Sequence, residues 1–313
     1  MIELQAGLVI PRGTTRFVVD RIVQAEARGV GTVWSTSGGV SWDTLTAYAV
    51  AAARTERVIL GTSIVPTYPR HPFVVASEAL AIEDLAPGRL RLGIGGSHRP
   101  TIEQSFGIPM GKPLAHLREY AGILRALLWN GNVDFVGDYY TVKGSLPAGV
   151  DPPKTPLPIS TLRPNAWRLA GEIADGAITW LNPVDYIVDI GKPALEEGAA
   201  SVGRERPPVI AHVPVAIAAD RVAARAAFRK QFPIYSQLPF YAEMFALAGY
   251  PVKEEGRMPD GLVDDLLVSG SVDQVRERLE AIRARGIDEL LISQVPVSDE
   301  DAELEALSAV LAD

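Results

Sequence analysis

Short apolar runs alternate with helix-period segments along almost the whole chain. LQAGLVI at 4–10, GVGTVW at 29–34, the run at 57–65, GRLRLGIGG at 88–96, PLPISTL at 156–162, GAITWL at 176–181, PVIAHVPVAIA at 208–218 and DELLIS at 288–293 each have the length of a buried strand. Between them lie segments with apolar positions three and four apart. The first carries Val18, Val19, Ile22, Val23 and Ala27 on one face, with Thr14 or Thr15 placed to cap it. Others cover 43–54, 73–85, a stretch opening at Pro113 and ending near 128, 164–174, a stretch ending near 200, 221–230, 271–285 and the C-terminus. Strands that alternate with helices predict a parallel sheet covered on both faces. About eight such units, with no flexible linker, favour one closed (β/α)8 barrel over an open doubly wound sheet. The expected organisation is a single domain, 1–313, with insertions at about 98–112, 131–155 and 231–262. Within the second, VDFVGDYYTV at 133–142 alternates around Gly137-Asp138 and reads as a surface hairpin. The third, 231–261, reads as irregular and aromatic.

Barrels of this kind place their sites at the C-terminal ends of the strands. That puts Ser35-Thr36, Ser63-Ile64-Val65, the stretch Gly95, Gly96, Ser97, His98 and Arg99, the stretch Ser160, Thr161, Leu162 and Arg163, and Trp180 on one face. Small residues recur there. They would let a flat ligand approach the backbone, although ordinary turn chemistry gives the same composition. The stretch VILGTSIVPTYPRHP, 58–72, ends a core strand in small residues and three prolines, which makes a rigid loop or a shaped strand end. Pro164 suits the first position of a helix, whose free N–H groups with Arg163 beside them would suit a phosphate. A plain cap with a solvated arginine fits the same residues.

GIGGSHRP at 93–100 is not a dinucleotide fingerprint, because the third glycine position is His98. His98 and Arg99 could reach a phosphate or a reaction centre, or simply be solvated. No nucleophile elbow, His pair at metal-ligand spacing or carboxylate pair at a strand end is found in the pattern, so no metal is expected. His71 before Pro72 reads as a helix-start residue. Trp34, Trp42, Tyr48 and Tyr68 suit either a pocket wall or the core.

The net charge of −8, with 30 basic residues scattered along 313, argues against nucleic acid and against an anionic membrane surface. The absence of cysteine rules out disulfides, thiolate metal sites and a cysteine nucleophile, and fits a reducing cytoplasm. No basic-then-apolar leader follows Met1, so no signal peptide is expected.

LGTSIVPTYPRHP, LAPGRLRLGIGGSHRP, LREYAGILRALLWNG, LRPNAWRLAGEIADG and VSGSVDQVRERLEAIRARGIDELLIS, in this order, resemble the bacterial luciferase-like superfamily, and within it the coenzyme F420-dependent oxidoreductases. The resemblance implies a (β/α)8 barrel, a homodimer, and a deazaflavin or flavin across the barrel mouth. It implies a non-prolyl cis peptide bond at Ser63–Ile64, in a bulge that presses on one face of the cofactor ring. The Gly95–Arg99 stretch would line the ring and ribityl chain, and Thr161-Leu162-Arg163 would match the phosphate-binding turn. Several members carry an Asp-His pair after the second strand, where this chain reads VWSTSGG. That departure favours a reductase, in which a hydroxyl such as Thr36, or His98, assists protonation of a small-molecule substrate. The aromatic insertion, with Phe232, Tyr235, Phe240, Tyr241 and Phe245, would cover the substrate side, or pack on itself. The alternatives are an FMN-dependent two-component monooxygenase and a barrel that binds F420 or another ligand without turnover.

Overall fold

A computed structural model describes residues 5–39, 41–252 and 256–312. The predicted strands form β1 (Ala6–Ile10), β2 (Thr32–Ser35), β3 (Ile59–Thr62, resuming at Val65–Pro66), β4 (Leu90–Arg91, resuming at Ile94–Gly95), β5 (Pro158–Ser160), β6 (Gly176–Ile178), β7 (Val209–Ile217) and β8 (Glu289–Gln294). Each pairs in parallel with the next. β8 returns to β1, with Gly7 opposite Leu291. The first part of β3 pairs with the first part of β4, and its second part with the second. Because β3 and β4 are each one strand line interrupted once, these ladders close the ring. One short strand, Val268–Gly270, was not foreseen and extends the sheet beside the far end of β7.

Helices α1 (Thr15–Ala27), α2 (Thr44–Ala52), α3 (Pro72–Leu85), α4 (Pro113–Asn130), α5 (Pro164–Ile173), α6 (Lys192–Ser201), α7 (Arg221–Gln231), α8 (Pro239–Leu247), α9 (Asp260–Leu266), α10 (Val272–Ala284) and α11 (Glu300–Ala312) follow in order. Thr14 caps α1 by accepting the Phe17 N–H, and the buried face of that helix is Val18, Val19, Ile22 and Ala25, with Ala27 exposed. The His71 ring accepts the Phe73 N–H and so caps α3, as its position suggested. The segment expected to be one helix up to about 200 begins instead with a turn at Val184–Tyr186 and a wider turn at Ile187–Gly191. Nor is 231–261 irregular throughout, since it holds a short turn at Tyr235–Gln237 and helix α8, with α9 beginning at its end. The hairpin pairs Asn132–Val136 with Thr141–Ser145. The Glu119 carboxylate of α4 accepts the N–H groups of Asp138, Tyr139 and Tyr140 in its turn.

Side chains alternate along a strand, so every second residue enters the barrel. Val9, Trp34, Ile178, Ile210 and Leu291 form the middle interior layer. The indole of Trp34 fits because Gly7 and Gly61 stand against it. A Cβ on Gly61 would lie 2.4 Å from the ring, and one on Gly7 would lie 2.6 Å from it. Toward the N-terminal end, Arg91 pairs with Glu289 at 2.6 Å, and Glu289 also accepts the Trp34 Nε1–H at 3.2 Å. The outward residues of the same strands pack against the helices in the larger core.

Candidate active site

The third strand breaks where the prolines begin. The Ser63–Ile64 peptide bond is cis. The chain around it is held by three neighbours. The Ser63 N–H donates to the Ser35 carbonyl at 2.8 Å, the Ser37 N–H to the Ile64 carbonyl at 3.3 Å, and the Val65 N–H to the Gly93 carbonyl at 2.8 Å. Ile64 consequently joins the interior beside Trp180. Behind the break, Tyr68 lies flat on His116, with ring centres 3.9 Å apart, and its hydroxyl donates to the Met110 carbonyl. His116 reaches the Tyr140 hydroxyl at 2.9 Å. Arg70 is paired with both Asp43 and Glu78. The proline segment is therefore clamped to the barrel wall, which favours the shaped strand end over a loop that only turns the chain.

By strand alternation, Ile64, Gly95, Ser160, Trp180, His212 and Ser293 make the interior layer nearest the mouth. The His212 ring and the Trp180 indole stack at 3.7 Å, 4° from parallel. His212 Nδ1 accepts the Leu181 N–H at 3.3 Å, so the other ring nitrogen carries the hydrogen and donates to Ser293 Oγ at 2.8 Å. Burial keeps this imidazole neutral, its pKa pushed down to about 3. Around the same end of the barrel, Ser35 Oγ, Ser37 Oγ, Ser63 Oγ, Trp180 Nε1 and Asn182 Oδ1 are buried without a hydrogen-bond partner. Buried polar atoms are rarely left so, and a cluster at one mouth matches the edge groups of a polar, planar ligand.

The aromatic insertion reaches this layer. Phe232 stands 6.4 Å from Trp180 and 5.8 Å from His212, edge to face. Tyr235 and Tyr241 stand 5.9 Å and 5.8 Å from His98. Burial lowers the pKa of His98 and raises those of both tyrosines, so all three are neutral near pH 7. Phe245 is fully buried in the same cluster. Arg163, at the end of β5, pairs with Glu243 of α8 and lies 4.4 Å over the Phe240 ring. Arg99 pairs with Glu103.

Several candidates take positions that their sequence did not reveal. Val65 packs outward between strands and helices, because the break at 63–64 leaves it on the outer side. Ser35 also points away from the interior, since its neighbour Trp34 points in. Gly95 is small for the barrel's own packing rather than for a ligand: a Cβ there would sit 2.2 Å from Ser160 Oγ and 3.1 Å from Ile64. Gly96 is more open, its nearest neighbour being the flexible end of Met110 at 3.3 Å. Ser97 is left-handed, with φ 59°. Thr161 Oγ1 is engaged by the Ile178 carbonyl, and Leu162 packs with the aromatic cluster. Thr36 is half-buried at the rim, its carbonyl accepting from Thr44. His212, Ser293 and Asn182 were not anticipated. One signal was available for His212, a histidine two residues after Ile210 in an otherwise apolar strand. Trp34 and Tyr48 belong to the core, Tyr68 to the clamp, and Trp42 is 59% exposed. Among the described residues, no group of three His, Asp or Glu side chains could hold a metal ion.

The family model described as luciferase-like monooxygenase matches residues 2–289. A Mycobacterium tuberculosis protein provisionally named a coenzyme F420-dependent oxidoreductase is 30% identical over 87% of this chain and 89% of its own length. The F420-dependent glucose-6-phosphate dehydrogenase of Nocardia farcinica is 29% identical over 88% of this chain and 87% of its own. Among solved structures, an F420-dependent secondary alcohol dehydrogenase, held with an F420–acetone adduct, superposes with a TM-score of 0.83. It covers 99% of this chain and 98% of its own at 18% identity, a likeness of fold alone. With the closed parallel ring, the interrupted third strand and the match along most of its length, this chain belongs to the luciferase-like monooxygenase family.

Proposed function

We propose that this protein is a coenzyme F420-dependent oxidoreductase acting as a reductase on a small organic molecule. The observation that carries the reading is the mouth itself: Ile64, Trp180 and His212 form an apolar floor, with orphaned polar atoms of Ser63, Trp180 and Asn182 around it. These residues fit a planar tricyclic group with polar edges. The bound deazaflavin would supply two-electron hydride chemistry. The chain's residues would do the rest. Ile64 would support one face of the ring, and Ser63 and Asn182 would bond its edge. Arg163 and the first turn of α5 would hold the phosphate. The names of the two curated relatives described above support F420 in particular.

The reductase direction rests on protonation states. Ser35, Thr36 and Ser37 stand where a base would be needed, and His98, Tyr235, Tyr241 and His212 are neutral. A mouth with hydroxyls and neutral imidazole is suited to donating a proton to a reduced substrate. It is poorly suited to drawing one from an alcohol. His98, within reach of the aromatic insertion, is our choice for that donor. We further read 1–313 as one domain that works as a cytoplasmic homodimer. No helix among the described residues is long and apolar enough to cross a membrane.

Titrating the purified protein with F420 and separately with FMN, and following quenching of cofactor fluorescence, tests the reading. Saturable binding of F420 at a lower concentration than FMN is expected. Binding of FMN alone would move the protein to oxygen-dependent chemistry, and binding of neither would end the proposal.

A further inference from the structure

A cleft on the β1–β2 side of the mouth is lined by residues of the β1–α1 loop, Arg12, Gly13 and Thr15, and by Ser35, Thr36, Ser41 and Thr44. Its chemistry is that of an anion site. Arg12 is exposed and makes no ion pair with any described residue. Its charge is felt by Tyr235 across the mouth, which places the cation facing the aromatic insertion. The cleft also receives the N-terminus of α1, a helix of 13 residues with no acidic side chain in its first turn. Thr14 satisfies only the Phe17 N–H, and Arg16 adds a second cation to the first turn. Two arginines at the positive end of a helix oppose its dipole, an arrangement that becomes favourable when an anion sits between them.

An independent observation comes from Ser35. It is 3% exposed, lines the cleft, and its Oγ has no partner. Since Trp34 enters the barrel, Ser35 points to the α1–α2 side, where the cleft lies. The acid in the wall, Asp43, is already neutralised by Arg70 and engaged in capping α2. In the ring, β1 and β2 are opposite β5 and β6. The cation of Arg163 therefore serves the far side of the mouth, leaving Arg12 for the second reactant.

We infer that Arg12, the first turn of α1 and Ser35 bind an anionic group of the substrate, a carboxylate or a phosphate. The inference rests on the reading of this mouth as an F420 site, and deepens it by naming the substrate class. Calorimetric titration of the full chain with inorganic phosphate, and separately with acetate, in chloride-free buffer tests it with and without saturating F420. One ion binds at a single site, and the preferred ion identifies the group. Arg12→Ala weakens that binding by about tenfold and Ser35→Ala by about threefold, as expected for a charge-assisted and a neutral hydrogen bond. Lys143→Ala, on the hairpin, leaves it unchanged, and saturating F420 leaves it within about twofold. Binding of neither ion, binding that survives Arg12→Ala, or loss of binding when F420 is added would overturn the inference. Arg12-dependent ion binding in a protein that fails to bind F420 would instead preserve the anion site and remove the cofactor reading.

Discussion

Arg163 is held in two ways at once, by the Glu243 carboxylate and by the face of Phe240. Both charged side chains remain well exposed, Arg163 at 39% and Glu243 at 56%. An exposed pair of this kind is worth about 0–1 kcal/mol. A charge-assisted bond from the same guanidinium to a phosphate is worth about 1.5–3 kcal/mol. Exchanging Glu243 for the cofactor's phosphate is therefore favourable, and the two partners of the pair have opposite effects on binding. Arg163→Ala raises the Kd for F420 by about 5- to 150-fold, the equivalent of about 1–3 kcal/mol. Glu243→Gln removes the competitor and lowers Kd, by no more than about fivefold. Fluorescence-quenching titrations of the three proteins at low and high salt measure both effects, and the Arg163 effect shrinks as ionic strength rises. Arg163→Ala binding F420 within twofold of the parent protein would remove Arg163 from the site. Glu243→Gln binding F420 as poorly as Arg163→Ala would show that the pair supports the fold of the mouth instead of competing with a phosphate.

Other expectations follow from the interior layers. Gly61→Ala forces a methyl group against the Trp34 ring and costs about 1–3 kcal/mol by overpacking. Thermal melts should show a lower Tm, partly restored by adding Trp34→Phe; an unchanged melt refutes the packing of that layer. His212 and His116 have pKa values pushed down, to about 3 and about 4, from an ordinary value near 6.5. Their neutral forms stabilise the fold fully above pH 6.5, and that stability is lost as pH falls from there toward 4. The slope approaches about 1.4 kcal/mol per pH unit for each histidine. Urea unfolding at pH 7 and pH 5 should show a smaller loss in His212→Asn, and an equal loss rejects the buried neutral imidazole. His98→Gln should lower kcat by about 100-fold with F420 affinity unchanged; a parallel loss of affinity would make His98 a binding residue.

How much of this was legible before folding differs from one residue to the next. The Pro164 helix start, the Thr14 cap and the His71 cap rest on contacts within three residues, which local sequence controls. The mouth does not. Ser35 and Trp34 are neighbours in sequence, yet one faces a cleft outside the ring and the other fills its middle. Their side is set by the pairing of β2 with β1 and β3. Likewise, Gly95 reads as a ligand contact until Ser160 and Ile64 are found against it.

The sequence by itself determined the order of strands and helices, the closed parallel barrel and the edge on which the site lies, because hydrophobic periodicity and turn residues act over a few positions. Only the tertiary structure decided the stack of Trp180 on His212, the bond from His212 to Ser293, the contact of Arg163 with Glu243 and the packing of 231–261 against His98. These contacts join residues about 30 to 140 positions apart. They arise because closing the ring brings alternate side chains of distant strands to one level, a constraint that a local pattern does not contain.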